Sequence, residues 1–497
     1  MAGRYVLALD QGTTGSTAFV FDAEARPVGQ DYSEFPQRYP RPGWVSHDPN
    51  DIWEVTLKVG RGAIAAAGIE PKEIAGIGIT NQRETTIVWD RESGEPIEDA
   101  VVWQCRRTAE ICRRIRDAGH AGYIRDRTGL VVDSYFSGPK IKWILDNAWD
   151  ARKLAKGGRL AFGTVDTWLV HKLTKGKVHA TDASNASRTM LYDIHRGDWD
   201  PQLCDIMTVP LSMLPEVVDS SGLVGHADAE WFGAQIPITG IAGDQQAALF
   251  GQGCFAPGMA KNTYGTGCFA LANTGTEAVR SDHGLLTTVA WKIGGKTTYA
   301  LEGSVFIAGA AVQWLRDGLG VIASAPETEA LAESVPDTHG AYFVPAFAGL
   351  GAPHWDETAR GAIVGLTGGV KKAHIVRATL EAICFQSADL FAAFEADAGI
   401  DLALLKVDGG ASKNGFLCRF QADISGKTVV RPVVNETTAL GAAFLAGIGA
   451  GLWQGTDELE VVWQEAARYE PAMDEAERER RLAGWHRAVE RTKGWAD

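Results

Sequence analysis

The sequence predicts an α/β protein built from two similar halves. Strand-like apolar runs alternate along the chain with segments whose apolar residues recur at helical spacing, which is the pattern of α/β layers. A strand, a Gly/Thr turn and a second strand follow one another at the N-terminus and again in the second half of the chain. GQGCFAPG, residues 251–258, interrupts a helical pattern just before the second copy and marks the predicted boundary. Two such halves facing each other would enclose a cleft, a common place for a ligand.

The first copy of this plan spans residues 5–22. Residues 5–10 are predicted to form a strand ending at Asp10, residues 11–16 a turn, and residues 17–22 a second strand. The small residues of the turn would let backbone N–H groups approach a phosphate. Asp10 could hold a magnesium ion directly or through water, because Mg²⁺ prefers oxygen ligands. An ordinary hairpin turn that begins with Asp explains the same residues.

A polar segment follows the next predicted strand, residues 74–80. Arg83 and Glu84 come directly after this strand, where a ligand-facing edge is expected. A guanidinium that donates hydrogen bonds beside a carboxylate that accepts them suits a polyol. A surface salt bridge is the competing interpretation.

Asp244 stands where a predicted strand, residues 241–243, gives way to a helix. The helix dipole would stabilise its negative charge, and the carboxylate could receive a hydroxyl proton while a phosphoryl group is transferred. A plain helix cap also accounts for an isolated Asp at this position.

Further glycine turns share the chemistry of the turn at 11–16. Residues 264–267 form the turn of the second hairpin, and residues 408–412 follow a predicted strand and open a helix. Ser304 is predicted to cap a helix that carries Gly309 and Gln313 on one face. Each of these segments taken alone could be structural, but the turn at 11–16, the turn at 408–412 and the segment at 304–313 together favour a nucleotide cradle. The sequence has neither a Walker P-loop nor a GxGxxG dinucleotide motif after a strand.

Composition excludes several classes of protein. Lys and Arg number 48 against 62 Asp and Glu, a formal net charge of −14, which opposes general binding to nucleic acid or anionic lipid. The seven cysteines form no CxxC pair, so a reducing compartment is expected rather than a disulfide framework or structural zinc. The longest weakly polar run, residues 439–453, is shorter than the roughly 20 residues needed to cross a bilayer. A cytoplasmic protein without membrane insertion is expected.

Two segments carry a family resemblance. Residues 135–147, YFSGPKIKWILDN, resemble the first signature of the FGGY carbohydrate kinases, and residues 361–381, GAIVGLTGGVKKAHIVRATLE, resemble the second. TNQRETTIVWD, VVWQCRRT, IAGDQQAALFGQ and KNTYGTGCF are similar to the members that phosphorylate glycerol rather than those that phosphorylate pentuloses. The resemblance implies a two-domain fold of the actin and hexokinase (ribonuclease H-like) type, with a five-stranded mixed sheet in each domain. Residues 1–252 would form the domain that binds glycerol and magnesium, and residues 253–497 the nucleotide domain.

The same resemblance implies the reaction and the site. ATP would phosphorylate glycerol to sn-glycerol 3-phosphate, with Asp244 as general base and Mg²⁺ positioned by Asp10 and Asp244. Glycerol would be held by the following seven residues: Arg83, Glu84, Trp103, Tyr135, Asp244, Gln245 and Phe269. The nucleotide would meet another seven: Thr13, Thr14, Thr266, Gly309, Gln313, Gly410 and Asn414. Family members form dimers and tetramers, so a homodimer or homotetramer is expected.

The sequence departs from the family pattern in two places. Many glycerol-phosphorylating members have Ser at the position of Gly15 and Arg at that of Thr17, so a basic phosphate contact is missing here. Residues 229–235, AEWFGAQ, differ from the loop through which some members bind fructose 1,6-bisphosphate, and we expect no inhibition by that compound. Two other readings stay open: a kinase for another small polyol or ketose, and a nucleotide-dependent binding or regulatory protein on the same fold.

Overall fold

The computed structural model describes residues 3–402 and 404–496. Within them the strands are β1 Tyr5–Gln11, β2 Gly15–Phe21, β3 Pro27–Glu34, β4 Ser46–His47, β5 Ile74–Asn81, β6 Ile87–Asp90, β7 Ala100–Val101, β8 Leu160–Gly163, β9 Ala180–Asp182, β10 Tyr192–Asp193, β11 Asp198–Trp199, β12 Glu216–Val218, β13 Ser221–Ala227, β14 Ile236–Gly243, β15 Ala260–Tyr264, β16 Cys268–Gly275, β17 Leu286–Ile293, β18 Lys296–Val305, β19 Tyr342–Val344, β20 Ala362–Val364, β21 Leu404–Asp408, β22 Thr428–Pro432 and β23 Glu465–Tyr469.

The α-helices are α1 Pro49–Ala67, α2 Ala109–Asp117, α3 Ala121–Thr128, α4 Ser137–Asn147, α5 Ala151–Lys156, α6 Val165–Leu173, α7 Ala183–Ala186, α8 Pro201–Met207, α9 Ala229–Phe232, α10 Asp244–Gly251, α11 Gly309–Gln313, α12 Glu327–Glu333, α13 Lys372–Ala398, α14 Gly415–Ser425, α15 Thr437–Gly449, α16 Thr456–Val462 and α17 Glu475–Glu490. In the part of the chain that the structure describes, none of them is both long and apolar enough to cross a membrane.

The two predicted halves repeat one strand order. In the N-terminal half the order is β3-β2-β1-β5-β14, and in the C-terminal half it is β18-β16-β15-β21-β22. In each half, the first three strands in this order pair antiparallel with their neighbours. The third strand pairs in parallel with the fourth, and the fourth pairs in parallel with the fifth. The strand–turn–strand plan seen in the sequence is therefore the start of the same five-stranded unit in both halves.

The expectation of two separate five-stranded sheets is wrong in one respect. Additional strands β13, β17 and β23 extend the units, and β13 meets β17 through the pair Ser221 and Ile293. The described residues thus form one continuous sheet of 13 strands. The edges of the two units join because strands added outside each unit pair with each other.

Two helices, one from each half, meet in the middle of the molecule. α15 packs on α10 and also covers β5 and β14, which belong to the N-terminal half. Glycines allow the close approach: a Cβ at Gly441 would lie 1.8 Å from the Ala247 carbonyl oxygen, and one at Gly251 would lie 2.0 Å from that of Thr437. The helix that begins with Asp244 is therefore held against the C-terminal half.

The predicted helix capped by Ser304 is wrong at its start. Ser304 lies inside β18, paired with Phe269 of β16, and the helix α11 begins only at Gly309. This segment forms a strand and not a helix because its backbone hydrogen bonds with β16 continue as far as Val305. Gly309 and Gln313 still lie at the two ends of α11.

Candidate active site

Asp244 is placed by the end of β14 and the start of α10. The N–H of Gly243, just before it, donates to Ser184 Oγ at 3.0 Å, which fixes the turn between strand and helix. The Asp244 side chain is 33% exposed, whereas the Arg83 side chain beside it is 1% exposed. Burial raises the pKa of Asp244, and the Arg83 guanidinium, whose Nε lies 3.2 Å from Oδ1, opposes that rise. The carboxylate is therefore reachable and more ready to accept a proton than one in water.

Four N–H groups of the Arg83 guanidinium are hydrogen-bonded to protein acceptors, and the remaining nitrogen, Nε, forms an ion pair with Asp244. Nη1 and Nη2 bind the two oxygens of Glu302 at 2.5 and 2.9 Å. Nη1 also donates to Gln246 Oε1 at 3.3 Å, Nη2 donates to Tyr135 Oη at 3.2 Å, and Nε faces Asp244. Since a guanidinium has five N–H groups, a substrate hydroxyl would have to replace one of these partners.

A buried network of two arginines and two glutamates lies beneath Asp244. Arg188 donates from Nε to Glu84 Oε1 at 2.8 Å and from Nη2 to Glu302 Oε1 at 2.9 Å. Burial alone would raise the pKa of Glu302, but Arg188 and Arg83 outweigh it and lower the pKa to about 2. Glu302 belongs to the C-terminal half and the other three to the N-terminal half, so the network joins the two halves.

Sequence reasoning found Arg83 and Glu84 but missed Glu302 and Arg188. Each of the missed residues is a single charge inside an apolar or small-residue segment, and no local pattern marks it. Arg83 and Glu302 are 219 positions apart. The signal available in the sequence was a charged residue in a strand-like run, which is rarely buried unless it is paired.

Aromatic residues connect the acceptor residues to the first glycine turn. The Trp103 indole N–H donates to Thr13 Oγ1 at 2.9 Å, and its ring meets the Tyr135 ring edge-on at 5.6 Å between centroids. Thr14, next in the turn, is exposed. Phe269 is half-buried on β16, opposite Thr263 of β15. Among the described residues no aromatic contact joins Phe269 to Trp103 or Tyr135, so its predicted role as a second apolar wall stays a prediction.

Asp10 is the last residue but one of β1 and lies within electrostatic range of Asp244. Burial raises the pKa of Asp10 to about 8, and the negative charges of Asp244 and Glu436 add to the rise. Two carboxylates that disfavour each other's charge suit a cation, and Mg²⁺ uses one or two carboxylates together with water and substrate phosphates. Within residues 3–402 and 404–496 no group of three or more His, Cys, Asp or Glu side chains forms a metal cage.

Three glycine segments of the C-terminal half lie against one another: the turn at 264–267, the start of α11 and the turn at 408–412. Gly309 N–H donates to Gly265 O at 3.0 Å, and a Cβ at Gly309 would lie 2.6 Å from that oxygen. Gly409 has φ of 84°, and a Cβ there would lie 2.5 Å from the Tyr264 carbonyl oxygen. The turn at 264–267 is thus the centre on which the other two pack, and only glycine fits at both contacts.

The remaining nucleotide candidates lie around these turns. Thr266 and Gly410 are exposed, and a Cβ at Gly410 would meet no atom within 4 Å. Gln313 is exposed at the end of α11. Asn414 caps α14 by accepting from Leu417 N–H at 3.0 Å, and its Nδ2 donates to Thr328 Oγ1 at 3.1 Å. A base contact from Asn414 would therefore compete with partners inside the protein.

Gln245 has a buried partner that sequence reasoning did not single out. The Lys261 ammonium donates to Gln245 Oε1 and, at 2.9 Å, to Thr263 Oγ1. Lys261 has no exposed surface. The sequence feature that could have indicated this residue is a lysine at an inward-facing position of a strand.

Family models match nearly the whole chain. The N-terminal domain of the FGGY family of carbohydrate kinases matches residues 5–251, and the C-terminal domain of the same family matches residues 260–450. Together these matches cover well over half of the sequence.

Similar proteins match from end to end. The chain is 59% identical over 494 residues to a glycerol kinase of Caldanaerobacter subterraneus subsp. tengcongensis and 58% identical over 492 residues to glycerol kinase 2 of Thermotoga maritima, with 99% of each chain covered. A crystal structure of Plasmodium falciparum glycerol kinase with ADP, 37% identical, superimposes with a TM-score of 0.93 over 99% of both chains. The predicted two-domain fold of the actin and hexokinase type is thereby confirmed.

Proposed function

We propose, for a chain that belongs to the FGGY family of carbohydrate kinases, that it transfers the γ-phosphoryl group of ATP to a terminal hydroxyl of glycerol, giving sn-glycerol 3-phosphate and ADP. End-to-end identity with glycerol kinases supports glycerol as the acceptor, and the fold shared with an ADP-bound glycerol kinase supports the nucleotide.

The observation that carries the proposal is the position of Asp244. Its partly exposed carboxylate lies against the buried guanidinium of Arg83. Its neighbour Gln245 accepts a hydrogen bond from Lys261 of β15, the strand that leads into the glycine turn at 264–267. Arg83, Tyr135 and Trp103, which come from distant segments, are connected to it through contacts of 3.2 to 5.6 Å. A general base needs this combination of access and positioning.

The transfer is a displacement at phosphorus. As the hydroxyl oxygen of glycerol attacks the γ-phosphorus, its proton passes to Asp244, the new O–P bond forms, and the bond to the bridging oxygen breaks, so that ADP leaves with the electron pair. Asp244 then returns the proton to solvent. Most of the catalysis comes from positioning and from stabilising charge. A magnesium ion, held by Asp10 and Asp244 directly or through water, would supply positive charge beside the phosphates.

Glu84 is suited to receive a glycerol hydroxyl. Its Oε1 is engaged by Arg188, and Oε2 makes no hydrogen bond within the described residues. The free oxygen could therefore accept from glycerol, while Arg83 could exchange the Tyr135 hydroxyl for a substrate oxygen. Glycerol would then be held by a donor and an acceptor that the protein has already oriented.

The two halves have separate tasks in this scheme. Residues 1–252 would carry the acceptor residues and magnesium, and residues 253–497 the turns for the nucleotide. Closing the halves over both substrates would bring the hydroxyl to the phosphate and exclude water that would otherwise hydrolyse ATP.

A coupled assay of ADP release tests the proposal. Purified protein is supplied with Mg-ATP and, in separate reactions, glycerol, dihydroxyacetone, erythritol and xylulose. Glycerol is expected to give the highest kcat/KM. A higher kcat/KM for another polyol or ketose would change the proposed acceptor substrate and leave the proposed kinase activity in place. Nucleotide binding without turnover of any of the four compounds would favour a binding protein.

A further inference from the structure

Lys261 is a buried cation beside the acceptor residues. It lies on β15 with no exposed surface, and its ammonium contacts Gln245 Oε1 and Thr263 Oγ1. Within the described residues no carboxylate oxygen lies within 4.0 Å of its Nζ. Burying an ammonium without a directly paired carboxylate costs free energy, so a buried lysine at this position is expected to have a functional role.

The chemistry of the contact fixes the orientation of Gln245. A lysine ammonium has three donors and no acceptor, so only the oxygen of the Gln245 amide can lie against it. The amide nitrogen Nε2 must then point away from Lys261. Nε2 makes no hydrogen bond to the described residues and is not among their fully buried unpaired atoms, so it retains access to solvent at the start of α10, where Asp244 also lies.

We propose that Lys261 is a positioning residue that makes Gln245 a hydrogen-bond donor to the acceptor substrate. Gln245 Nε2 would donate to the oxygen of the reacting hydroxyl, which leaves the proton of that hydroxyl free to point at Asp244. A flipped amide would present Oε1 instead and compete with Asp244 for the same proton. The inference rests on the proposed function, in which Asp244 takes that proton.

The charges around Lys261 favour this role. Burial lowers its pKa to about 8, while Asp408 of β21, Asp244 of α10 and Glu302 of β18 raise it and Arg83 lowers it further. Three carboxylates on three packed elements therefore keep the ammonium charged without forming a close pair that would pull it away from Gln245.

The neighbouring strand offers a matched control. Lys406 of β21 is the register partner of Lys261 and is 6% exposed. Its ammonium donates to Gln252 O at 2.6 Å and lies 3.8 Å from the centre of the Trp463 ring. Each lysine thus contacts one end of the α10 region, but only Lys261 touches an acceptor residue.

A double-mutant cycle tests the inference. Initial rates with glycerol and Mg-ATP are measured for wild type, Lys261→Met, Gln245→Met, the double variant and Lys406→Met, with melting temperatures for each. Lys261→Met and Gln245→Met should each lower kcat/KM by about 10- to 100-fold, the scale for a lost directional hydrogen bond. Because Lys261 acts through Gln245, the double variant should fall within about twofold of Gln245→Met. Lys406→Met should keep kcat/KM within about threefold of wild type.

Three results would overturn the inference: near-normal kcat/KM in Lys261→Met, effects that multiply in the double variant, or an equal loss in Lys406→Met. If Lys261→Met does not fold, Gln245→Glu takes its place, because it keeps an oxygen for Lys261 and removes the donor. Wild-type kcat/KM in Gln245→Glu would contradict a donating Gln245. Failure of the proposed function would show in the wild type itself as no turnover of glycerol, and the cycle would then use the alcohol that the protein does phosphorylate.

Discussion

At the scale of single residues, Asp244 differs from the other carboxylates around it in its access to solvent. Glu84 and Glu302 are buried and engaged by arginines, and they hold charge in place. Asp244 keeps one oxygen near Arg83 and remains partly exposed. Asp244 is therefore the carboxylate suited to proton transfer, because the buried network contacts it through Arg83 and leaves it partly exposed to solvent.

Asp244→Asn should lower kcat by at least about 100-fold, the usual scale for loss of a general base. The amide keeps the size of the side chain, so glycerol binding measured by calorimetry should change little. Turnover close to wild type would remove Asp244 from the role of base.

Glu302→Gln should reduce both activity and stability, because it leaves Arg83 and Arg188 without their shared carboxylate. Breaking a buried ion pair by removing one partner costs about 3 to 5 kcal/mol, and we expect a comparable loss in the free energy of unfolding. With Arg83 released, KM for glycerol should rise by about tenfold or more.

Glu381→Gln is the matched control for Glu302→Gln. Glu381 is 3% exposed, belongs to the same half and pairs with Arg377 at 2.8 Å, away from the acceptor residues. It should lose stability and keep KM for glycerol. Equal rises in KM in both variants would mean that Glu302 acts only through the fold.

Sequence patterns could identify residues that follow strands and could not identify the charges that support them. Arg83, Glu84 and Asp244 stand next to predicted strand ends, where topology makes a ligand-facing edge. Arg188, Glu302 and Lys261 depend on partners brought together by the sheet and by α10, and those contacts do not exist until the chain has folded.

At the scale of elements, the three glycine turns work as one unit. The turn at 264–267 receives Gly309 on one side and Gly409 on the other, so their arrangement depends on mutual contact. The predicted cradle also included the turn at 11–16 of the N-terminal half, and that part of it stays a prediction. The pattern of small residues could not predict where α11 begins, because the apolar and small residues of 304–313 suit a strand end as well as a helix.

Gly410→Ala tests whether this unit meets the nucleotide. The added Cβ would enter open space, so the melting temperature should not change. If a nucleotide occupies that space, KM for ATP should rise by about tenfold, the scale of a steric conflict of roughly 1 to 2 kcal/mol, with KM for glycerol unchanged. Gly122→Ala in α3, where a Cβ also meets nothing within 4 Å, is the control. Equal KM values for ATP in the two variants would place the nucleotide elsewhere.

The contact between α6 and β9 gives the protein a pH-dependent stability. Asp166 of α6 is fully buried, and burial, with the nearby charge of Asp182, raises its pKa to about 7, although Thr164 and Thr181 donate to it. A carboxyl whose pKa is higher in the folded than in the unfolded chain binds more protons when folded, so stability falls as pH rises from about 4 to 7.

Asp166→Asn cannot lose a proton, so its melting temperature should fall less than that of the wild type between pH 5 and pH 7.5. Differential scanning calorimetry across this range measures the difference. Parallel curves for the two proteins would show that Asp166 does not titrate in this window.

At the scale of the whole molecule, the two halves share more structure than their repeated strand order suggests. The sheet is continuous through β13 and β17, and α15 of the C-terminal half covers strands of the N-terminal half. The sequence repeat predicted the strand plan, but it carried no sign of the added strands. The boundary between residues 252 and 253 stays a prediction, because packing crosses it.

The network of Arg83, Arg188, Glu84 and Glu302 connects these halves. The residue that orients the acceptor arginine comes from the half expected to bind ATP.

A crystal structure with glycerol and a non-hydrolysable ATP analogue measures the central geometry directly. A terminal oxygen of glycerol should lie within about 3.2 Å of an Asp244 carboxylate oxygen, on the line that extends from the γ-phosphorus away from the bridging group. Glycerol bound away from Asp244, or a terminal phosphate on the side of the three glycine turns that faces away from Asp244, would contradict the proposed geometry.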